Sequence, residues 1–199
     1  IKKCVGCNLL EIKGDSILKK KPCVSFDMNG IAQGFSVDAI AEILEKNGII
    51  NYIVELGGEI RVKGKKEPLR EKFKIGIESP SKDGFENHLI QKVVQFDSGA
   101  ITTSGSYRKY YESNGKRITH IINPKTGYSV QNELISVTVY ARDAITADAY
   151  DNALMLMGVK KALAFTENRK DLAAYFIYKK WDGTIDDTAS ANFYNLMNQ

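Results

Sequence analysis

The sequence predicts an α+β fold, a mostly antiparallel sheet with packed helices. Strand-like segments outnumber helical ones. Hairpin turns join neighbouring strands, with Asn114-Gly115 the plainest example. An amphipathic helix crosses over early in the chain. The composition, 43% hydrophobic and 26% charged over 199 residues, is that of an ordinary globular protein, so residues 1–199 are expected to form one domain.

Residues 9–12 and 16–18 read as a first hairpin turning at Lys13-Gly14-Asp15. Residues 25–63 form the unit around which the chain is organised: a short strand, a glycine-punctuated turn, a helix, a second strand, a Gly57-Gly58 turn and a third strand. Val37, Ile40, Ala41 and Leu44 recur at i, i+3, i+4 and i+7, which makes one apolar helix face. Asp38, Glu42, Glu45 and Lys46 fall on the other faces, and Gly48 suits a left-handed C-terminal cap. Residues 73–78 alternate as a half-buried strand does, and residues 89–96 read as another strand. Residues 97–105 form a polar, small-residue stretch. Residues 107–111 and 116–122 flank the Asn114-Gly115 turn, residues 123–127 turn again, and residues 134–141 are a β-branched strand. A helix from about Ala144 is broken by Gly158 and resumes over residues 160–167. Residues 172–178 are a last strand, and the polar tail docks through Phe193 and Leu196.

The charge is +4, from 28 Lys+Arg against 24 Asp+Glu, too small an excess to predict a nucleic-acid partner. No apolar run approaches the roughly 18 residues of a spanning helix. The chain opens on Ile1-Lys2-Lys3 without an initiator methionine, so a processed chain or an excised piece is expected. Cys4 and Cys7 form a CxxC and Cys23 follows. Zinc needs a fourth ligand, and a redox CxxC normally opens a helix, which Val5, Gly6 and Asn8 do not. All three are therefore expected as unpaired, metal-free thiols.

Two places carry candidate chemistry. Asp27, Asn29, Gly30, Gln33 and Gly34 crowd a strand-to-helix turn, where glycines allow close approach and a helix N-terminus favours anions. The turn has neither GxGxxG nor GxxxxGK[ST], and a plain strand–helix connection explains it equally well. Asp148 and Asn152 are four apart and share a helix face, with Asp151 beside them. A carboxylate and an amide oxygen one turn apart can grip a hard cation such as Mg²⁺, and an acidic solvated face near a helix start looks the same. His120 stands at a strand end entering a turn, where a general base, a ligand and a hydrogen-bonded structural residue are all open readings. His88 lies in a charged loop with no partner for chemistry.

Three segments together resemble the FAD:protein FMN transferase family, formerly described as thiamine-biosynthesis lipoproteins. Asp27-Met28-Asn29-Gly30-Ile31-Ala32-Gln33-Gly34-Phe35-Ser36-Val37-Asp38 resembles D-x-G-[GA]-I-A-K-G-[YF]-x-x-D. Thr103-Ser104-Gly105-Ser106-Tyr107-Arg108 and His120-Ile121-Ile122-Asn123-Pro124-Lys125-Thr126-Gly127 resemble T-S-G-x-Y-R and H-I-I-D-P-x-T-G. Ala147-Asp148-Ala149-Tyr150-Asp151-Asn152-Ala153 resembles A-D-A-x-x-T-A. The order and intervals agree from about Ile1 to the C-terminus, with the family's N-terminal part absent. Gln33 stands where the family has Lys, Asn29 where it has Gly, Asn123 where it has Asp and Asn152 where it has Thr.

The resemblance implies a tunnelling-fold-like flavin transferase domain that moves FMN from FAD to a threonine hydroxyl of a target protein and releases AMP. It implies Mg²⁺ held by the Gly30 carbonyl, Asp148 and Asn152. FAD contacts fall to Asp27, Gln33, Ser104 and the His120-Ile121 segment. His120 or a carboxylate, Asp148 or Asp27, accepts the threonine proton. It further implies FAD and a threonine-bearing acceptor protein as partners, a possible homodimer, and a place in the cell envelope or on the periplasmic side of the membrane. Two alternatives stand beside the enzyme: an FAD- or nucleotide-binding module without turnover, and a partner-binding envelope domain with a vestigial site. Residues 97–102 superficially resemble the acceptor motif of such targets, with Ile101 breaking the register, and no flavin is expected on Thr102 or Thr103.

Overall fold

The structure is a computed structural model that describes residues 2–79, 90–106, 110–113, 116–119 and 121–197. It opens with a hairpin, β1 (Leu10–Lys13) and β2 (Ser16–Lys19). Helix α1 (Ala32–Lys46), β3 (Tyr52–Leu56), β4 (Glu59–Lys63), β5 (Phe73–Glu78) and β6 (Ile90–Phe96) follow. Then come β7 (Ser98–Gly105), β8 (Tyr110–Ser113), β9 (Lys116–Thr119) and β10 (Leu134–Ala141). The chain ends with α2 (Ala144–Met157), α3 (Val159–Glu167), β11 (Ala173–Lys179), β12 (Ile185–Ala189) and α4 (Ala191–Met197).

Six strands form one antiparallel sheet in the order β12-β11-β10-β7-β4-β3, in keeping with the predicted α+β class. Helices α1, α2 and α3 cover one face. Val137, Val139 and Ala141 of β10 meet Leu154 and Met155 of α2 and Ala162 of α3 there, while Val37 and Ala41 of α1 pack on Val54 and Ala100. The antiparallel β5–β6 pair and α4 cover the other face, where Ile75, Val94 and Phe96 meet Val62, Ile101, Tyr175 and Phe193. Burial of this much apolar area on both faces is the main driving force for the three-layer arrangement.

The structure departs from the sequence reading in instructive ways. The polar stretch 97–105 contains a central strand, β7, paired to β4 and β10. It shows no apolar alternation because both its faces are covered, and its Thr102, Thr103 and Ser104 hydroxyls find partners within the fold, Thr103 Oγ1 lying 2.9 Å from Thr138 Oγ1 across the ladder. The short strand expected before the glycine-punctuated turn is absent; residues 25–28 have no ladder partner. The polar tail contains β12 and α4, anchored by buried Phe193.

Helix α1 ends as its glycine predicts. Gly48 has φ 77°, its N–H donates to Glu45 O, and the Ile49 N–H donates to Leu44 O at 3.0 Å, a Schellman closure. Val37 and Ala41 are buried on its inner face, but Ile40 is exposed, and Asp38, expected among the solvent-facing residues, is buried.

The cysteine expectation is overturned. Cys4 and Cys23 form a disulfide with a Cα–Cα distance of 5.6 Å, and only Cys7 is free and exposed. The cause is the first hairpin. β1 and β2 pair Leu10 with Lys19, and Lys20 N–H donates to Leu9 O, so the two flanks run on together until the cysteines meet. The CxxC spacing is incidental to this pairing.

Candidate functional site

The site is built where the N-terminus of α1 meets the middle of α2 above β7. Strand alternation puts Thr102 and Ser104 on the helix-facing side of β7. Helix periodicity brings Asp148, Asp151 and Asn152 of α2 down onto them. Thr102 Oγ1 donates to Asp151 Oδ2 at 2.7 Å, and Ser104 Oγ donates to Asn152 Oδ1 at 3.1 Å. Two hydroxyls two apart on a strand thus hold two consecutive side chains of a helix.

Helix α1 completes the site from the side. Its third N–H, that of Gly34, has no acceptor within the first helical turn and donates to Asp148 Oδ2 at 2.9 Å. The anion that the glycine turn invites is, at this N–H, the protein's own carboxylate, 114 residues away in sequence. The approach depends on Gly34 having no side chain: a Cβ there would lie 2.4 Å from Ala144 O and 2.9 Å from Asp148 Cβ. Gly30 stands close to Asn152, with a built Cβ 3.7 Å from Asn152 Nδ2.

Asp38 sets the two helices against each other. It accepts from the N–H groups of Ala144 at 3.0 Å and Ile145 at 2.9 Å, and from Arg61 Nη1 at 2.6 Å. Asp143 accepts from Thr146 N–H, so between them two carboxylates take three of the unsatisfied N–H groups that open α2.

Burial decides the electrostatics. Asp148 is 3% exposed and Asp151 1%. Desolvation pushes the Asp148 carboxyl above its usual range, opposed by the Gly34 N–H. It pushes Asp151 much further, against the pull of its Thr102 hydrogen bond and with added repulsion from Asp148 and Glu59. Asp151 Oδ1 is buried without a hydrogen-bond partner among the described residues. The folded protein therefore holds a proton on Asp151 that the unfolded chain releases in the ordinary aspartate range. Stability that is full below that range declines as pH rises through it, and the decline is complete once the folded value is passed. Asp151→Asn removes this titration. Its stability relative to the parent, read from urea midpoints between pH 4 and pH 9, is expected to rise with pH; a constant difference refutes the assignment.

Oxygen-bearing groups lie one helical turn apart here, the Asp148 carboxylate and the Asn152 carboxamide, with Gly30 beside Asn152. Such a set fits Mg²⁺ or Ca²⁺ rather than a softer metal. Among the described residues no group of three or more His, Cys, Asp and Glu is arranged to hold a metal. A site relying on amide and carbonyl oxygens is consistent with that. Two clefts, of about 410 and 290 Å³, lie elsewhere; the first is lined by Gln131, Glu133 and Lys160 and the second by Glu55, Lys74 and Thr103. Donor chemistry, not cavity size, singles out the Asp148 region.

Asp27 is exposed and accepts from the Asn29 N–H at 2.9 Å, a local Asx turn. Gln33 is exposed beside Gly57, where a Cβ would lie 2.2 Å from the Gln33 amide nitrogen. The Ile121 side chain packs in the core with Leu134 and Leu154, and its carbonyl accepts from Val130 N–H. His120 and His88 lie outside the described residues. Thr102, 1% exposed and committed to Asp151, is in no position to accept a flavin without leaving the core. The sequence reading missed the Thr102–Asp151 pair and the Asp38 bridge. The i, i+2 spacing of Thr102 and Ser104 is the signal for the first, once residues 98–105 are read as a strand.

The ApbE family model matches residues 1–176. A Haemophilus influenzae protein named FAD:protein FMN transferase is 40% identical over 176 residues, covering 88% of this chain and 50% of that protein. A Vibrio cholerae protein of the same name is 38% identical, covering 94% of this chain and 54% of its own length. The chain thus spans about half the length of the curated relatives it matches. Among solved structures, the Vibrio cholerae flavin transferase superposes with a TM-score of 0.86 at 35% identity, over 98% of this chain and 60% of that one. The apo form of the Pseudomonas stutzeri flavinyl transferase gives 0.85 at 32% identity, over 100% of this chain and 59% of the other.

Proposed function

This chain belongs to the ApbE family, and we propose that it carries the metal and nucleotide half of an FAD:protein FMN transferase, acting on FAD and a threonine of an acceptor protein. The observation that carries the reading is the meeting of three distant segments, Gly30 to Gly34, Thr102 to Ser104 and Asp148 to Asn152, around the Asp148 and Asn152 side chains. Asp148, Asn152 and the Gly30 carbonyl would hold a Mg²⁺ ion, which would supply Lewis-acid neutralisation of diphosphate charge.

The reaction balances without a redox partner. The acceptor hydroxyl oxygen bonds to the phosphorus of the FMN half, the bond to the bridging oxygen breaks, and AMP leaves with that oxygen. The hydroxyl proton goes to a base, for which His120, Asp27 and Asp148 are the candidates. The residues of this chain act by holding groups still. Gly34 N–H fixes Oδ2 of Asp148. Ser104 restrains Asn152, and Asp38 keeps α2 in register with α1.

The test is incubation with FAD, Mg²⁺ and an acceptor protein, following AMP by chromatography and the flavin adduct by peptide mass spectrometry. Release of AMP with a threonine adduct is expected. Asp148→Asn is expected to slow it at least about a hundredfold, the scale of losing one preorganised electrostatic group. Binding of FAD without AMP would select the nucleotide-binding module instead.

A further inference from the structure

The Asn152 carboxamide is held at both ends. Its Nδ2 donates to the Asp148 carbonyl at 3.3 Å, and its Oδ1 accepts from Ser104 Oγ at 3.1 Å. The nitrogen is the end that stands near Gly30. An amide NH₂ group is a donor only and cannot ligate a cation. The oxygen a cation needs is the one turned toward β7. Turning the carboxamide over presents Oδ1 on the Gly30 side and swings Nδ2 toward Ser104. A serine hydroxyl is both donor and acceptor, so one Oγ serves either arrangement.

We propose that Ser104 is a positioning residue that lets Asn152 turn over to admit a divalent cation, donating to Oδ1 when the cation is absent and accepting from Nδ2 when it is bound. The inference rests on the metal reading above. It depends on the asparagine at position 152, where the resembling family motif has a threonine, because a hydroxyl has no second end to hold. The two arrangements do not depend on Ser104 equally. Without it, the cation-free amide keeps its bond to the Asp148 carbonyl, with nitrogen toward Gly30. The turned amide loses that bond and is left with no partner for its nitrogen in a half-buried place.

The test is Mn²⁺ binding by the folded protein, read by electron paramagnetic resonance, in a double-mutant cycle. Ser104→Ala is expected to weaken binding about tenfold, the usual scale for removing the partner of a metal ligand. Ser104→Thr, which keeps the hydroxyl, restores it. In the N152T background the same Ser104→Ala change is expected to cost less than about twofold, the additive limit for uncoupled residues. Equal losses in both backgrounds, or no loss in the parent, overturn the role of Ser104. Saturable binding by the parent that Asp148→Asn abolishes keeps the metal reading intact in either case. No saturable binding by the parent refutes the metal reading and the proposal together. Side-chain NH₂ signals of Asn152, identified by their loss in N152T, should shift on adding Mg²⁺ in the parent.

Discussion

Gly34→Ala is expected to destabilise the protein by about 2 kcal/mol net and to uncouple the site. Overpacking by a methyl group costs up to about 3 kcal/mol, and here the obstructing atoms are chiefly backbone, Ala144 O at 2.4 Å and C at 2.7 Å, which cannot rotate away. The better helix propensity of alanine returns about 1 kcal/mol. Relief requires α1 to move off α2, and that movement lengthens the bond from Gly34 N–H to Asp148. The same substitution at Gly30 meets only Asn152 Nδ2 at 3.7 Å, an ordinary contact, and is expected to change stability by less than about 0.5 kcal/mol. Urea midpoints of the two variants test this directly. Similar losses at both positions would show that helix approach is not the constraint.

Asp38→Ala is expected to cost about 3 kcal/mol, the lower end for breaking one side of a buried, hydrogen-bonded pair. The substitution strands Arg61, whose side chain is 21% exposed, and leaves the first two N–H groups of α2 without their acceptor. Glu45 lies 3.4 Å from Arg61 and offers partial compensation, which is why the lower end is expected. Asp38→Asn keeps an acceptor oxygen and should lose less. Because Asp38 sits one helical turn beyond Gly34, its loss should also weaken Mn²⁺ binding at Asp148, three positions below the capped N–H of Ile145. A variant that unfolds at the parent's urea midpoint would remove Asp38 from this role.

Much of the site was legible because its parts are local. The Gly30–Gly34 turn, the one-turn spacing of Asp148 and Asn152 and the helix stop at Gly48 follow from short-range sterics and helix periodicity, which a single segment carries with it. The same is true of the hairpins and of the break at Gly158. The three motif segments are each short runs as well, and their likeness to a known family survives without coordinates.

Other features exist only between segments. β7 reads as a polar stretch because its apolar and hydroxyl neighbours come from α2, β4 and β10, and alternation vanishes when both faces of a strand are covered. Asp38 looks like a solvent-facing acid on its own helix; only the arrival of the α2 N-terminus, over a hundred residues later, turns it inward. Cys4 finds Cys23 because a hairpin register continues past its strands, which spacing between cysteines does not reveal. The sequence by itself determined the helix termini, the turns and the chemical types at the site, since these depend on backbone strain and side-chain period. Tertiary structure alone decided which carboxylates are buried, which hydroxyls hold them and which end of Asn152 faces Gly30, since desolvation and hydrogen-bond pairing depend on groups brought together from distant parts of the chain.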